Sequence, residues 1–267
     1  MGMPTIPIND LDLYYETAGE GPPLLLIAGF ASDSQSWAPV IPRLSEHYRL
    51  IMPDNRAVGR TAPQDASTSI EQMSEDCLAL IDALQLKQVP VLGHSMGGIV
   101  AMHMAAHWSH RVQQLVLAAS SPSRSARTVS LIDTLVALRE AGTPDPLWFK
   151  TLFHWLLAPP FFEDPAAVDT AVKLAVSYPY LQPVAAMRRQ ADAIARFEAD
   201  GLTTRVKTPT LAILGECDLL IPSSDAVSAL CTIGDIRFEE MRDAAHSLHW
   251  DDPRTFCDIV LDFLKLD

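Results

Sequence analysis

The chain has 267 residues, 48% of them hydrophobic and 20% charged, with a formal net charge of −13. That composition excludes a disordered chain, and the length suffices for a sizeable core. The acidic balance argues against nucleic acid or an anionic membrane surface as partner, since the field repels phosphate. The cysteines Cys77, Cys217, Cys231 and Cys257 form no C-x-x-C pair, so zinc and dithiol chemistry lack support. No metal or cofactor site is expected. "MGMPTIPIND" carries no basic region leading into an apolar stretch, and Ile6 stands where a myristoylation signal needs Ser or Thr. No apolar run is long enough to span a membrane. The expected location is the cytoplasm; nothing in the sequence sets an oligomeric state.

Along the chain, "TIPIND" and "LDLYYET" read as short strands joined at Asn9-Asp10, and "PPLLLIAG" as a buried strand. "SWAPVIPRLSEHY" reads as a helix and "YRLIMPD" as a strand. Thr68 and Glu71 have capping-box spacing ahead of "MSEDCLALIDAL", where Met73, Cys77, Leu80, Ile81 and Leu84 recur at helical intervals. Strand "QVPVLGH", helix "MGGIVAMHMAAHW" and strand "VQQLVLAAS" follow. The strands are continuous apolar runs, the pattern of a mostly parallel sheet with helices on both faces. The alternation stops at Pro122. From there to about Lys207, four segments punctuated by Pro and Gly read as helices. Strands "TPTLAILGE" and "IRFEEMRD" and the amphipathic "DPRTFCDIVLDFLKL" complete the chain. The expected division is 1–121 for the first part of the core, 122–207 for a helical insertion, and 208–267 for the second part.

The chemistry centres on "VLGHSMGGIV". Gly93, Ser95 and Gly97 give Gly-x-Ser-x-Gly between a strand and a helix. A turn that sharp needs glycine where a Cβ would clash, and it projects the serine oxygen at a helix N-terminus. A serine hydroxyl needs a base, and the base needs an orienting carboxylate. The motif predicts that an acid and then a histidine follow in the chain. "ILGECDLLIP" offers Asp218, with Glu216 as its rival nearer the strand. "RDAAHSLHWDDP" offers His246, with His249 as the rival nearer the final helix. His94, His103, His107 and His110 read as packing or surface histidines. An oxyanion hole needs two backbone donors. The N–H of Met96 is one, and Phe30, after the strand "LLLIAGF", is assigned the other.

Together, "GHSMGG", "GECDLLIP", "AAHSLHWDDP", "LLLIAGFASDSQSW" and "MPDNRAVGRT" resemble an α/β-hydrolase of the esterase, lactonase and haloperoxidase-like group, with an enol-lactonase as the nearest likeness. The resemblance covers nearly the whole chain and is weak in the helical block. It implies the α/β-hydrolase fold, Ser95 as nucleophile, Asp218 as acid, His246 as base, and the helical block as a cap over the pocket. Ala28, Ala57, Trp108 and Ala245 depart from the common pattern, which has His, Gly, Pro and Gly there. The implied activity is hydrolysis of a small-molecule carboxylic ester or lactone through an acyl-enzyme. Acyl transfer, perhydrolysis or C–C cleavage could use the same groups, and a ligand sensor with little turnover is the reading from another class. In the cap, Trp148, Phe153 and Trp155 are candidates for an apolar pocket, while Arg124, Arg127, Arg188 and Arg189 could pair with a carboxylated substrate.

Overall fold

A computed structural model describes residues 5–123 and 125–265. Eight strands form a sheet in the order β1-β2-β4-β3-β5-β6-β7-β8. They are β1 (Thr5–Ile8), β2 (Leu11–Ala18), β3 (Pro23–Ile27), β4 (Arg49–Pro53), β5 (Val89–His94), β6 (Val112–Ala118), β7 (Thr210–Gly215) and β8 (Ile236–Met241). β2 pairs antiparallel with β1 and β4, and from β4 to β8 every pairing is parallel. The family fold read from the sequence is the fold observed.

The central strands carry runs of buried apolar residues, with polar ones confined to their ends, because both sheet faces are covered. Successive side chains point to opposite faces, so each strand feeds two cores. Leu25, Ile27, Val91, Leu115 and Leu117 pack with residues of helices α2 (Ile70–Ala83) and α3 (Met96–His107), which follow the short α1 (Ile41–Leu44). Leu24, Leu26, Leu92, Val116 and Leu211 pack on the other face with Trp37, Leu44 and the apolar side of the last helix.

Between β6 and β7 the chain runs through α4 (Ala126–Glu140), α5 (Asp145–Leu156), α6 (Pro165–Ser177), α7 (Val184–Arg196) and the single turn α8 (Leu202–Arg205). α9 (Ser223–Leu230), α10 (Leu248–Asp251) and α11 (Pro253–Phe263) lie in the last part. The inserted helices and the connection between α6 and α7 hydrogen-bond to loops at the carboxyl ends of the strands. Tyr178 OH donates to Asp33 after β3 at 2.5 Å. Gln182 Nε2 donates to Ala57 O after β4, and Thr128 Oγ1 to Leu220 O after β7, both at 2.8 Å. The Ser247 N–H after β8 donates to Leu156 O at 2.7 Å. The insertion therefore spans the edge of the sheet where the Gly-x-Ser-x-Gly turn lies.

Three local expectations differ from the structure. "SWAPVIPRLSEHY" is a 3₁₀ turn, Ser34–Trp37, followed by α1, because Pro39 and Pro42 remove donors that a continuous helix would need. The N-cap of α2 is Ser69, whose hydroxyl accepts from Gln72 N, and not Thr68, whose hydroxyl donates to Ala66 O. α9 has no counterpart among the expected elements; its eight residues, "SSDAVSAL", carry too short an apolar pattern to stand out. No helix among the described residues is long and apolar enough to cross a membrane.

Candidate active site

β5 ends at His94 and α3 begins at Met96, so one residue makes the turn. That residue, Ser95, has φ 52° and ψ −119°, a backbone conformation costly for anything but glycine. The neighbours hold it there. Its N–H donates to Ala118 O at 2.9 Å, and its carbonyl accepts from Ser120 Oγ at 2.7 Å and from Gly98 N at 2.9 Å. Gly97 lets the helix lie against β3, since a Cβ on it would sit 2.1 Å from Ile27 O.

Three sequence-distant side chains meet at this turn. His246 Nε2 is 2.8 Å from Ser95 Oγ, and His246 Nδ1 is 2.9 Å from Asp218 Oδ2. A carboxylate only accepts, so Nδ1 carries the proton and Nε2 presents its lone pair to the serine hydroxyl. Asp218 is buried, and its Oδ1 accepts the N–H groups of Leu220 and Ile221 at 2.8 and 2.9 Å. The carboxylate is thereby fixed in orientation and its charge dispersed over three donors. Glu216, the rival acid, accepts from Asp243 N. His249, the rival base, is buried against Trp37 and His94.

The His246 loop is held from three directions. Its carbonyl accepts from His94 Nε2 at 2.8 Å, the N–H of Ala245 donates to Asp251 Oδ2 at 2.8 Å, and the neighbouring Ser247 N–H reaches Leu156 of the insertion. Asp251 also accepts from Ala158 N, so one carboxylate ties the base's loop to the inserted helices. Burial raises the Asp251 pKa, and these two N–H donors partly offset the rise. His94 thus does more than pack. No motif marks His94 or Asp251 as supports, because their partners are backbone groups brought close only by folding.

Gly29 lies against Ser95: a Cβ on it would be 3.2 Å from Ser95 Cβ and 3.1 Å from His94 Nδ1. Phe30, the expected second oxyanion donor, therefore starts beside the nucleophile position. Met96, the expected first donor, opens α3, where N–H groups have no intrahelical acceptor. The loop is supported at Ala28 O by Asn55 Nδ2 at 3.0 Å and at Ser34 N by Asp54 Oδ1 at 2.9 Å. "MPDNRAVGRT" thus has structural work around the site. Its Arg56 is buried and bonds both carboxylate oxygens of Asp76.

The three aromatic pocket candidates occupy different surroundings. Trp148 is buried, donates its indole N–H to Leu135 O at 2.8 Å and packs within the helical block. Phe153 belongs to an aromatic row with Phe149 and Phe161. Trp155 lines a cleft of about 380 Å³ with Thr151, His154 and Leu219, which adjoins Asp218 in the chain. A second cleft of about 500 Å³ is bordered by Thr128, Leu220 and Ile221. Neither cleft is lined by Ser95, which is itself half-buried. Among the arginines, Arg188 pairs with Glu140 at 2.9 Å and with Asp133, and Arg189 donates to Gln64 O at 2.5 Å. Arg127 stacks over Trp155 at 5.4 Å, while Arg124 lies outside the described residues. No cluster of three or more metal-ligating side chains occurs among the described residues.

The buried histidines carry a stability consequence. Burial pushes His94 down to about 3, with the proximity of His246 adding to it, and burial pushes His103 down to about 4. His249 is lowered for the same first reason. Each stays neutral when folded but takes a proton when unfolded below about pH 6.5. Stability is therefore complete above that value and falls as pH drops towards the folded values, by up to about 1.4 kcal/mol per pH unit for each histidine. The urea midpoint should be clearly lower at pH 5.5 than at pH 7.5; equal midpoints would contradict this.

Comparison with known proteins agrees with the architecture. A protein assigned as a candidate carbamate hydrolase, RutD of Azorhizobium caulinodans, is 26% identical over 98% of both chains. An alpha/beta hydrolase enzyme from a Medee basin deep-sea metagenome library superposes with a TM-score of 0.89 at 20% identity, covering 99% of both chains. The enol-lactonase from Burkholderia xenovorans LB400 gives a TM-score of 0.85 at 23% identity, covering 98% of this chain and 99% of that one. The model of the alpha/beta hydrolase fold family matches residues 22–253, and the chain belongs to that family.

Proposed function

We propose that the chain is a serine hydrolase of small-molecule carboxylic esters or lactones. One observation carries the reading: the Asp218–His246–Ser95 relay, with distances of 2.9 and 2.8 Å and a proton order that leaves Nε2 free to accept. Ser95 Oγ attacks the acyl carbon while Nε2 takes its proton. Asp218 steadies the resulting imidazolium. The N–H groups of Phe30 and Met96 receive the carbonyl oxygen as it becomes charged. Proton return to the leaving alcohol frees it, and water, activated by the same histidine, releases the acid from the serine. No step calls for a cofactor or metal. The inserted helices act as a cap.

A neutral, moderately hydrophobic substrate fits best. The aromatic row of Phe149, Phe153 and Phe161 favours apolar groups. The charge of Arg188, the most apparent partner for a carboxylate, is already matched by Asp133 and Glu140. Matched neutral and ω-carboxylated p-nitrophenyl esters of several chain lengths test this. The neutral series should give the higher kcat/KM at low and high salt alike. A preference for the carboxylated ester that Arg127→Ala or Arg188→Ala removes would replace the neutral reading with the enol-lactonase one.

Likeness over almost the full length to a candidate carbamate hydrolase supports a second reading, carbamate cleavage by the same three groups. p-Nitrophenyl carbamates run beside the esters decide between them by kcat/KM. Stoichiometric binding of both with no turnover would favour the ligand-sensor reading.

A further inference from the structure

The N–H of Ala31, one residue beyond Phe30, donates to Oε1 of Gln190 at 2.8 Å. Gln190 lies on α7 of the insertion and is fully buried. Its helix neighbours Met187 and Ala191 belong to an apolar cluster against which Phe30 and Ala31 pack. Ala31 holds φ at 56°, in the left-handed region that a residue with a Cβ enters at a cost. An acceptor on its N–H helps hold the turn in that conformation. Asn55 and Asp54 support the loop from the core side; Gln190 supports it from the cap side.

The rest of the amide is informative. Gln190 Nε2 is buried with no protein acceptor among the described residues. A buried donor left unpaired lowers stability, and an apolar side chain of similar length would not bear that cost. Packing alone therefore does not account for glutamine here, whereas the need for an acceptor at Ala31 does. We propose that Gln190 is a positioning residue for the oxyanion hole. It fixes the Ala31 turn, and through it the direction of the Phe30 N–H, so that the hole is complete only with α7 docked. Gln190 touches no reacting atom. The proposal rests on the reading of Ser95 as nucleophile with Phe30 as oxyanion donor.

A donor turned away from the developing charge weakens transition-state binding and leaves ground-state binding nearly untouched. The test uses the full chain and three variants: Gln190→Met, Ser95→Ala and Gln182→Met. The last removes a comparable bond from the insertion, one made to Ala57 O after β4 and not to the Phe30 loop itself. Measured quantities are kcat and KM for a p-nitrophenyl ester, the inhibition constant of a trifluoromethyl ketone, which forms a tetrahedral adduct, and Tm. Gln190→Met should lower kcat by about 10- to 10²-fold and weaken the ketone by a similar factor, with KM within about two-fold of the parent. Gln182→Met should change Tm without that split. Should Gln190→Met not fold, Gln190→Leu is read in the same way. Unchanged kcat, a rise in KM alone, or the same kcat loss in Gln182→Met would overturn the proposal. Turnover persisting in Ser95→Ala would instead sink the nucleophile reading itself.

Discussion

Ser95→Ala should lower ester turnover by about 10⁶-fold, the scale seen when the serine of a triad is lost. The oxygen removed is the one 2.8 Å from His246 Nε2, and without it the base has no nucleophile to activate. Folding should be nearly unaffected. Alanine keeps the Cβ, and the contacts that hold φ at 52° run through the backbone, to Ala118 O, Ser120 Oγ and Gly98 N. Initial rates with a p-nitrophenyl ester and a thermal melt of each protein check both statements. A variant that kept a tenth of the parent rate would show that Ser95 is not the nucleophile.

The second large effect is on stability. A Cβ at Gly97 would lie 2.1 Å from Ile27 O and 2.6 Å from Ala28 O. Both are backbone atoms at the carboxyl end of β3, so no side chain can swing aside. Gly97→Ala would have to push α3 away from β3 and break the packing of Ile27, Val91 and Val100, all fully buried. The expected loss is about 4 kcal/mol or more, a large share of the 5–15 kcal/mol that holds a typical domain together. Gly234→Ala is the control, since a Cβ there meets nothing within 4 Å. Urea unfolding of the two variants checks the contrast; equal midpoints would mean that α3 and β3 are not in the contact described.

What could be read from the sequence follows from the range of the forces involved. "PLLLI", "VPVLGH" and the last four residues of "VQQLVLA" announce strands buried on both faces, because polar residues are kept to the strand ends. Gly93-x-Ser95-x-Gly97 announces the turn, because steric crowding between adjacent elements leaves a local mark. Asp218 and His246 could be named because each falls just past a strand, where the crevice of an open α/β sheet lies. Their meeting with Ser95 could not be seen, only expected from chain order. Helix ends were less legible: Thr68 and Ser69 are both competent caps, and only the backbone geometry at Ser69 separates them. His94, Asp251 and Gln190 were invisible as supports. Each bonds a backbone group distant in the chain, and a backbone N–H or carbonyl leaves no sequence signal. The aromatic residues of the insertion were equally ambiguous, since a tryptophan that fills a helical core and one that lines a cleft look alike until Trp148 and Trp155 are placed.

The central claim is that Ser95 becomes the acyl carrier under the control of His246. Its most direct test is reaction with a fluorophosphonate ester, which forms a stable adduct only with an activated serine, followed by peptide mass mapping. The expected result is one adduct per chain, on the peptide containing Ser95, formed rapidly in the parent protein and not in His246→Ala. An adduct on another residue, or ester hydrolysis that continues while Ser95 remains unlabelled, would contradict it.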